Sequence, residues 1–97
     1  MEKIFAGQSA LRLLVHTGLD LSESVDWEIR WEKPSDEAGS FPAFVVGEAT
    51  EGVLGYEVQE GDLDEAGWWR FWAWVGFSDG RRAPGCLERV FVWEEGR

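Results

Sequence analysis

Contact chemistry concentrates in one run of this 97-residue chain, Trp68 to Phe77. In an extended segment successive side chains point to opposite faces, so the run divides into two sets. One holds Trp69, Phe71, Ala73, Val75 and Phe77; the other holds Trp68, Arg70, Trp72, Trp74 and Gly76. Trp and Arg are the residue types that most often dominate interface energy. At about 3.3 Å per residue, Trp72 and Trp74 lie about 7 Å apart on one face. Turned outward, Trp68, Arg70, Trp72 and Trp74 have three possible uses. They form a surface for another protein or a second copy, a layer shielded by Arg and Glu stems of neighbouring strands, or a platform on which sugar rings stack.

The remaining reactive residues point to no reaction. Glu57, Glu60, Asp62, Asp64 and Glu65 are the densest acidic stretch, and such carboxylates can hold Ca²⁺. Their spacing matches no calcium loop, so the expectation is a solvated turn. Asp62 and Asp64 as an acid/base pair would need a cleft, which a chain of this size rarely encloses. His16 is the one histidine, with no acid or nucleophile near it in sequence, and metal sites usually need more than one imidazole or thiolate. Cys86 is the one cysteine; it allows no internal disulfide and is expected as a buried inert thiol. No Gly-rich phosphate loop, CxxC pair or nucleophile elbow occurs. No catalytic residue, cofactor site or metal site is therefore expected, and the chain is not expected to be an enzyme.

Charge narrows the partners. Nineteen acidic and nine basic residues give a net charge of −10. Nucleic-acid binding needs a basic surface that displaces counterions, and anionic membranes repel this chain for the same reason. The acidity promotes solubility and favours basic or neutral partners. No apolar run approaches the roughly 20 residues that span a bilayer. Met1-Glu2-Lys3-Ile4-Phe5 lacks the apolar stretch of a signal peptide, so a cytoplasmic start is expected.

The elements that must position these residues are strands. Hydrophobic residues make up 44% and charged residues 29%, a globular balance whose length fits one domain over 1–97. Gly and Pro break nearly every window long enough for a helix. Short runs rich in Val, Ile, Phe and Trp alternate with turn clusters. The runs are Ile4–Ala6, Leu11–His16, Val25–Trp31, Phe41–Val46, Val53–Val58, Trp68–Phe77 and a last one within 87–93. Val25, Trp27, Ile29 and Trp31 against Asp26, Glu28, Arg30 and Glu32 give the cleanest two-residue period. Gly47 to Gly52 reads as a turn, and Glu60 to Gly67 as an acidic connection with room for one helical turn. Ser78-Asp79-Gly80-Arg81 reads as a tight type I′ hairpin, and Pro84-Gly85 as a bulge or kink. About seven strands at such spacing predict an all-β fold, an antiparallel sandwich of two sheets. Of the seven tryptophans, each able to bury about 150–250 Å², a few could carry much of its core.

Several segments together resemble the immunoglobulin-like domain of phage baseplate upper proteins. These are Thr17-Gly18-Leu19-Asp20-Leu21-Ser22, then Val25–Trp31 closing on Lys33-Pro34, then Gly61-Asp62-Leu63-Asp64-Glu65-Ala66-Gly67-Trp68-Trp69, with Phe77-Ser78-Asp79-Gly80 after it. Order and spacing match over about residues 5–93. The resemblance implies an immunoglobulin-like sandwich and a non-enzymatic role in a phage or prophage tail or baseplate. It places Trp69 and Phe71 in the core, and hence Trp68, Arg70, Trp72 and Trp74 outside as partner-binding residues. Implied partners are other tail or baseplate proteins or a second copy, with a glycan as the alternative. Implied location is the bacterial cytoplasm on expression and the virion tail on assembly. The shared segments are turns and core positions, so no catalytic residue is carried over. Domains of this kind are commonly joined to larger receptor-binding or fibre regions, whereas this sequence stops at Arg97.

Overall fold

The computed structural model describes residues 4–9 and 11–94; the expectation for Met1 to Lys3 falls outside them. Extended backbone forms wherever β-branched and aromatic residues alternate with polar ones, because a pleated strand lets one face bury and the other stay wet. The strands are β1 (Ile4–Phe5), β2 (Leu11–His16), β3 (Ser24–Glu32), β4 (Ala38–Pro42), β5 (Phe44–Val46), β6 (Val53–Val58), β7 (Gly67–Phe77), β8 (Arg82–Pro84) and β9 (Glu88–Trp93). A single 3₁₀ turn, Ala49–Glu51, precedes β6. It lies in the stretch expected as a plain turn, while the acidic connection holds no helical turn.

Two sheets result. The larger runs β1-β9-β7-β3-β4, with β8 beside the C-terminal half of β7; the smaller runs β2-β6-β5. All pairings are antiparallel except that of β1 with β9. The expected all-β sandwich is what forms, with nine strands among the described residues instead of about seven. One added strand comes from the run Phe41–Val46. It changes sheets at Ala43, so β4 pairs with β3 and β5 pairs with β6. The other is β8, which lies before the last expected run, between the hairpin and the Pro84-Gly85 kink, while the run within 87–93 forms β9.

The core lies between the sheets. Val15 and Leu54 from the smaller sheet meet Ile29, Trp69, Phe71, Ala73, Val75 and Val92 from the larger. Each large apolar side chain so buried contributes about 1.5–3 kcal/mol. An aromatic series crosses the interior. Tyr56 on β6 stacks on Phe41 of β4 at 4.4 Å, Phe41 meets Trp31 of β3 at 5.8 Å, and Trp31 meets Trp69 of β7 at 5.7 Å. The Trp69 indole N–H donates to the Glu65 carbonyl at 2.8 Å and that of Trp27 to the Ser24 hydroxyl at 2.7 Å. The Trp31 indole N–H is buried without a partner among the described residues.

The β7–β8 hairpin differs from the tight turn expected. Gly80 has φ 89° but Asp79 does not enter the positive region. Gly80 N–H donates to the Phe77 carbonyl at 2.9 Å and Phe77 N–H to the Arg81 carbonyl at 2.8 Å. This is a three-residue connection in which only Gly80 is left-handed, so the two positive φ values of type I′ are not needed.

Candidate functional site

β7 is the central strand of the larger sheet and fixes the candidate residues. Trp69, Phe71, Ala73 and Val75 are buried, which turns Trp68, Arg70, Trp72 and Trp74 to the outer face. Register supplies their neighbours. Trp68 lies opposite Phe91, and Arg70 lies opposite Arg89 on one side and Glu32 on the other. Trp72 faces Arg30, and Trp74 faces Glu28 and Pro84.

The three outward tryptophans do not form one bare patch. The Arg30 guanidinium lies over the Trp74 ring, 4.3 Å from its centroid, and is itself held by Glu28 at 2.7 Å. Trp72 and Trp74 are half-buried, so neighbouring stems shield this end of the row. Trp68 stays 59% exposed. It meets Phe91 edge-on at 5.1 Å, and Phe91 meets Trp93 edge-on at 4.8 Å.

Arg70, ion-paired with Glu32, separates two shallow depressions. The first, about 400 Å³, is lined by Lys33, Pro34, Asp36, Trp68, Arg70 and Arg89. Lys33 is fixed by Asp64 at 2.8 Å and Glu37 at 3.1 Å. The hydrogen bonds it donates to Asp64 and then Glu37 hold its pKa above the ordinary lysine value, so it stays charged. Arg89 has no ion pair among the described residues. Asp36 sits at φ 72° in the β3–β4 turn, a conformation glycine adopts more cheaply. The second depression, about 340 Å³, is lined by Glu32, Arg70, Trp72, Gly85 and the exposed Leu87. Three cations around an indole can hold an anionic group against an apolar one, since guanidinium forks match carboxylate geometry. Arg89, Phe91 and Lys33 were not singled out in the sequence. The alternation of Arg89, Phe91 and Trp93 was a usable signal, but their place beside Trp68 depends on the β7–β9 register.

The other reactive residues serve turns or stand apart. The Asp62 carboxylate accepts from the Tyr56 hydroxyl at 2.6 Å and the Gln59 N–H at 2.7 Å. Asp64 holds Lys33, and the Glu65 carboxylate accepts from the Ser35 hydroxyl at 2.9 Å. His16 is exposed at the end of β2. Cys86 is exposed, not buried as expected, because it falls on the connection between β8 and β9. Among the described residues no group of three or more His, Cys, Asp or Glu side chains is placed to hold a metal ion.

Comparison with known proteins revises the sequence reading. No family model matches the chain, and no curated protein matches it. Its fold is similar to that of CopC from Methylosinus trichosporium OB3b, with a TM-score of 0.59 and 14% identity over 98% of this chain and 87% of that one. The likeness to phage baseplate upper proteins is therefore withdrawn. With it go the phage, prophage, tail, baseplate and virion role and the partners drawn from it. The physical reason is visible in the segments that carried it. Thr17 to Ser22, Gly61 to Trp69 and Phe77 to Gly80 are turns and buried anchors, which a two-sheet sandwich needs whatever its function. At 14% identity the match to CopC shows the fold alone.

Proposed function

We propose that this chain is a non-enzymatic binding module. It docks a protein partner on the outer face of the larger sheet, with Trp68 as anchor and Arg70 and Arg89 receiving a carboxylate of the partner. The observation that carries the reading is Arg89, which has no ion pair among the described residues and stands opposite a second arginine, beside an indole left 59% exposed. Like charges directly opposite in a sheet are unfavourable, by about 0.2–1 kcal/mol, and a carboxylate between them removes the conflict. The overall charge of −10 disfavours acidic partners, but it acts at long range and is screened within about 8 Å in physiological salt. The local cations then decide the contact. Trp72 and Leu87 extend the surface past Arg70, and Trp74 contributes the ring on which Arg30 rests.

The test is a fluorescence titration with short peptides that carry Glu or Asp beside Leu or Phe, against matched Gln and Asn peptides. The acidic peptides should bind, more weakly as salt rises. Trp68→Ser and Arg89→Ala should each weaken them about tenfold, a difference of about 1.4 kcal/mol. Equal binding of acidic and amide peptides, no binding of either, or indifference to both substitutions would overturn the proposal.

A further inference from the structure

β2 is an edge strand of the smaller sheet, hydrogen-bonded to β6 on one side only. Its register with β6 is unbroken from Leu11 opposite Val58 to His16 opposite Val53. Thr17, the next residue, donates its N–H to the Gly52 carbonyl at 2.8 Å. Backbone groups alternate in an antiparallel pair. Val15 and Leu13 therefore point their N–H and C=O toward β6, and Arg12, Leu14 and His16 point theirs away from it. No described segment hydrogen-bonds to these outward groups.

Edge strands are usually blunted by shortness, proline, lysine or a bulge. Among the described edges, β1 has two residues, β5 three, and β4 carries Gly39 and ends on Pro42. β2 has six residues with no proline, lysine or bulge, and its one arginine, Arg12, is turned to Glu57 of β6. Its outward side chains begin an apolar strip: Leu14, 45% exposed, lies opposite Gly55, and Gly55 lies opposite Phe44, 37% exposed. A side chain at position 55 would meet the Phe44 ring at 3.1 Å and Val46 at 2.7 Å. The absent Cβ is what lets the strip close over β6.

We propose that β2 pairs antiparallel with β2 of a second copy of this chain, joining the two smaller sheets into one of six strands. Charge selects this occupant. A chain of net charge −10 repels its own copy over most of its surface. The segment Leu11 to His16 contains no carboxylate. Centred on Leu14 opposite Leu14, the pairing sets Arg12 opposite His16 of the second copy, with Arg12 already neutralised by Glu57. No two arginines or lysines come to stand opposite each other. Two-fold symmetry makes the outward donors and acceptors of one strand complementary to those of the other, and the two Leu14–Phe44 strips become continuous.

Light scattering after gel filtration, and sedimentation over a range of concentrations, test this. Wild type should reach twice the chain mass, and the amides of Arg12, Leu14 and His16 should gain exchange protection as it does. Leu14→Lys, which leaves the β6 ladder untouched, should weaken association at least about tenfold. Trp68→Ser, on the opposite outer face, should leave it unchanged. A wild type that stays at single-chain mass at the highest concentrations overturns the proposal. So does a dimer that survives Leu14→Lys, or one lost on Trp68→Ser.

Discussion

Arg70 and Arg89 stand directly opposite each other in register across β7 and β9, while Glu32 is ion-paired with Arg70. Like charges directly opposite in a sheet weaken it, so a change that resolves the pair should stabilise the fold. Arg89→Glu supplies an opposite charge to Arg70. Arg82→Glu makes the same change in net charge where the cross-strand neighbour is Gly76. In urea unfolding, Arg89→Glu should exceed Arg82→Glu in stability by about 0.5 kcal/mol. Equal stabilities would mean that the two arginines do not feel each other.

Two turns of similar build give a second comparison. Gly80 at φ 89° and Asp36 at φ 72° both occupy the left-handed region, one with a glycine and one without. Asp36→Gly should raise stability by up to about 1 kcal/mol, and Gly80→Ala should lower it by about as much. Asp36 also lines the depression beside Trp68. The stabilised Asp36→Gly variant should therefore show altered peptide binding, which separates the use of that carboxylate from its strain.

Gly39 on β4 lies opposite Trp31 on β3, and the indole fills the space where a side chain would begin. A Cβ there would stand 2.4 Å from the Trp31 ring. Trp31 is wedged between Phe41 and Trp69 and cannot move aside freely. Gly39→Ala should cost about 1–3 kcal/mol by overpacking and shift the tryptophan emission. An unchanged denaturation midpoint would show that the ring has room.

Much of this arrangement was legible in the residues, and the rest failed for identifiable reasons. The alternation in 68–77 separates Trp69 from Trp68 because burial on one face of a strand leaves a two-residue period. The break at Ala43 left no such trace. Phe41, Ala43 and Val45 keep the inward positions on both sides of it. Side-chain periodicity therefore runs on while the hydrogen-bonding partner changes from β3 to β6. The candidate site was half legible for a related reason. Trp68 and Arg70 belong to one strand and can be read together, but Arg89 and Phe91 reach them only through a pairing some twenty residues away. Lys33 reaches them through a turn. The likeness that misled rested on turn and core residues, which report the sandwich and not its use.

The single tyrosine of the chain offers a test in alkaline solution. Tyr56 stacks on Phe41, and its hydroxyl donates to the Asp62 carboxylate at 2.6 Å. Burial, and then the hydrogen bond to Asp62, push its pKa up to about 12. Tyrosine in the unfolded chain ionises near pH 10. The folded state thus keeps a proton that the unfolded state gives up, and stability falls as pH rises wherever that difference exists. The contribution of Tyr56 is complete below pH 10 and is lost as pH climbs toward 12. Absorbance at the phenolate wavelength reports Tyr56 alone, so its titration should be displaced upward in the native protein and return to the ordinary range in denaturant. Tyr56→Phe should cost about 1 kcal/mol at neutral pH by removing the hydrogen bond, and its stability should then fall less steeply between pH 10 and 12. A native titration near pH 10, or an equal alkaline slope in both proteins, would show that neither burial nor Asp62 holds the phenol proton.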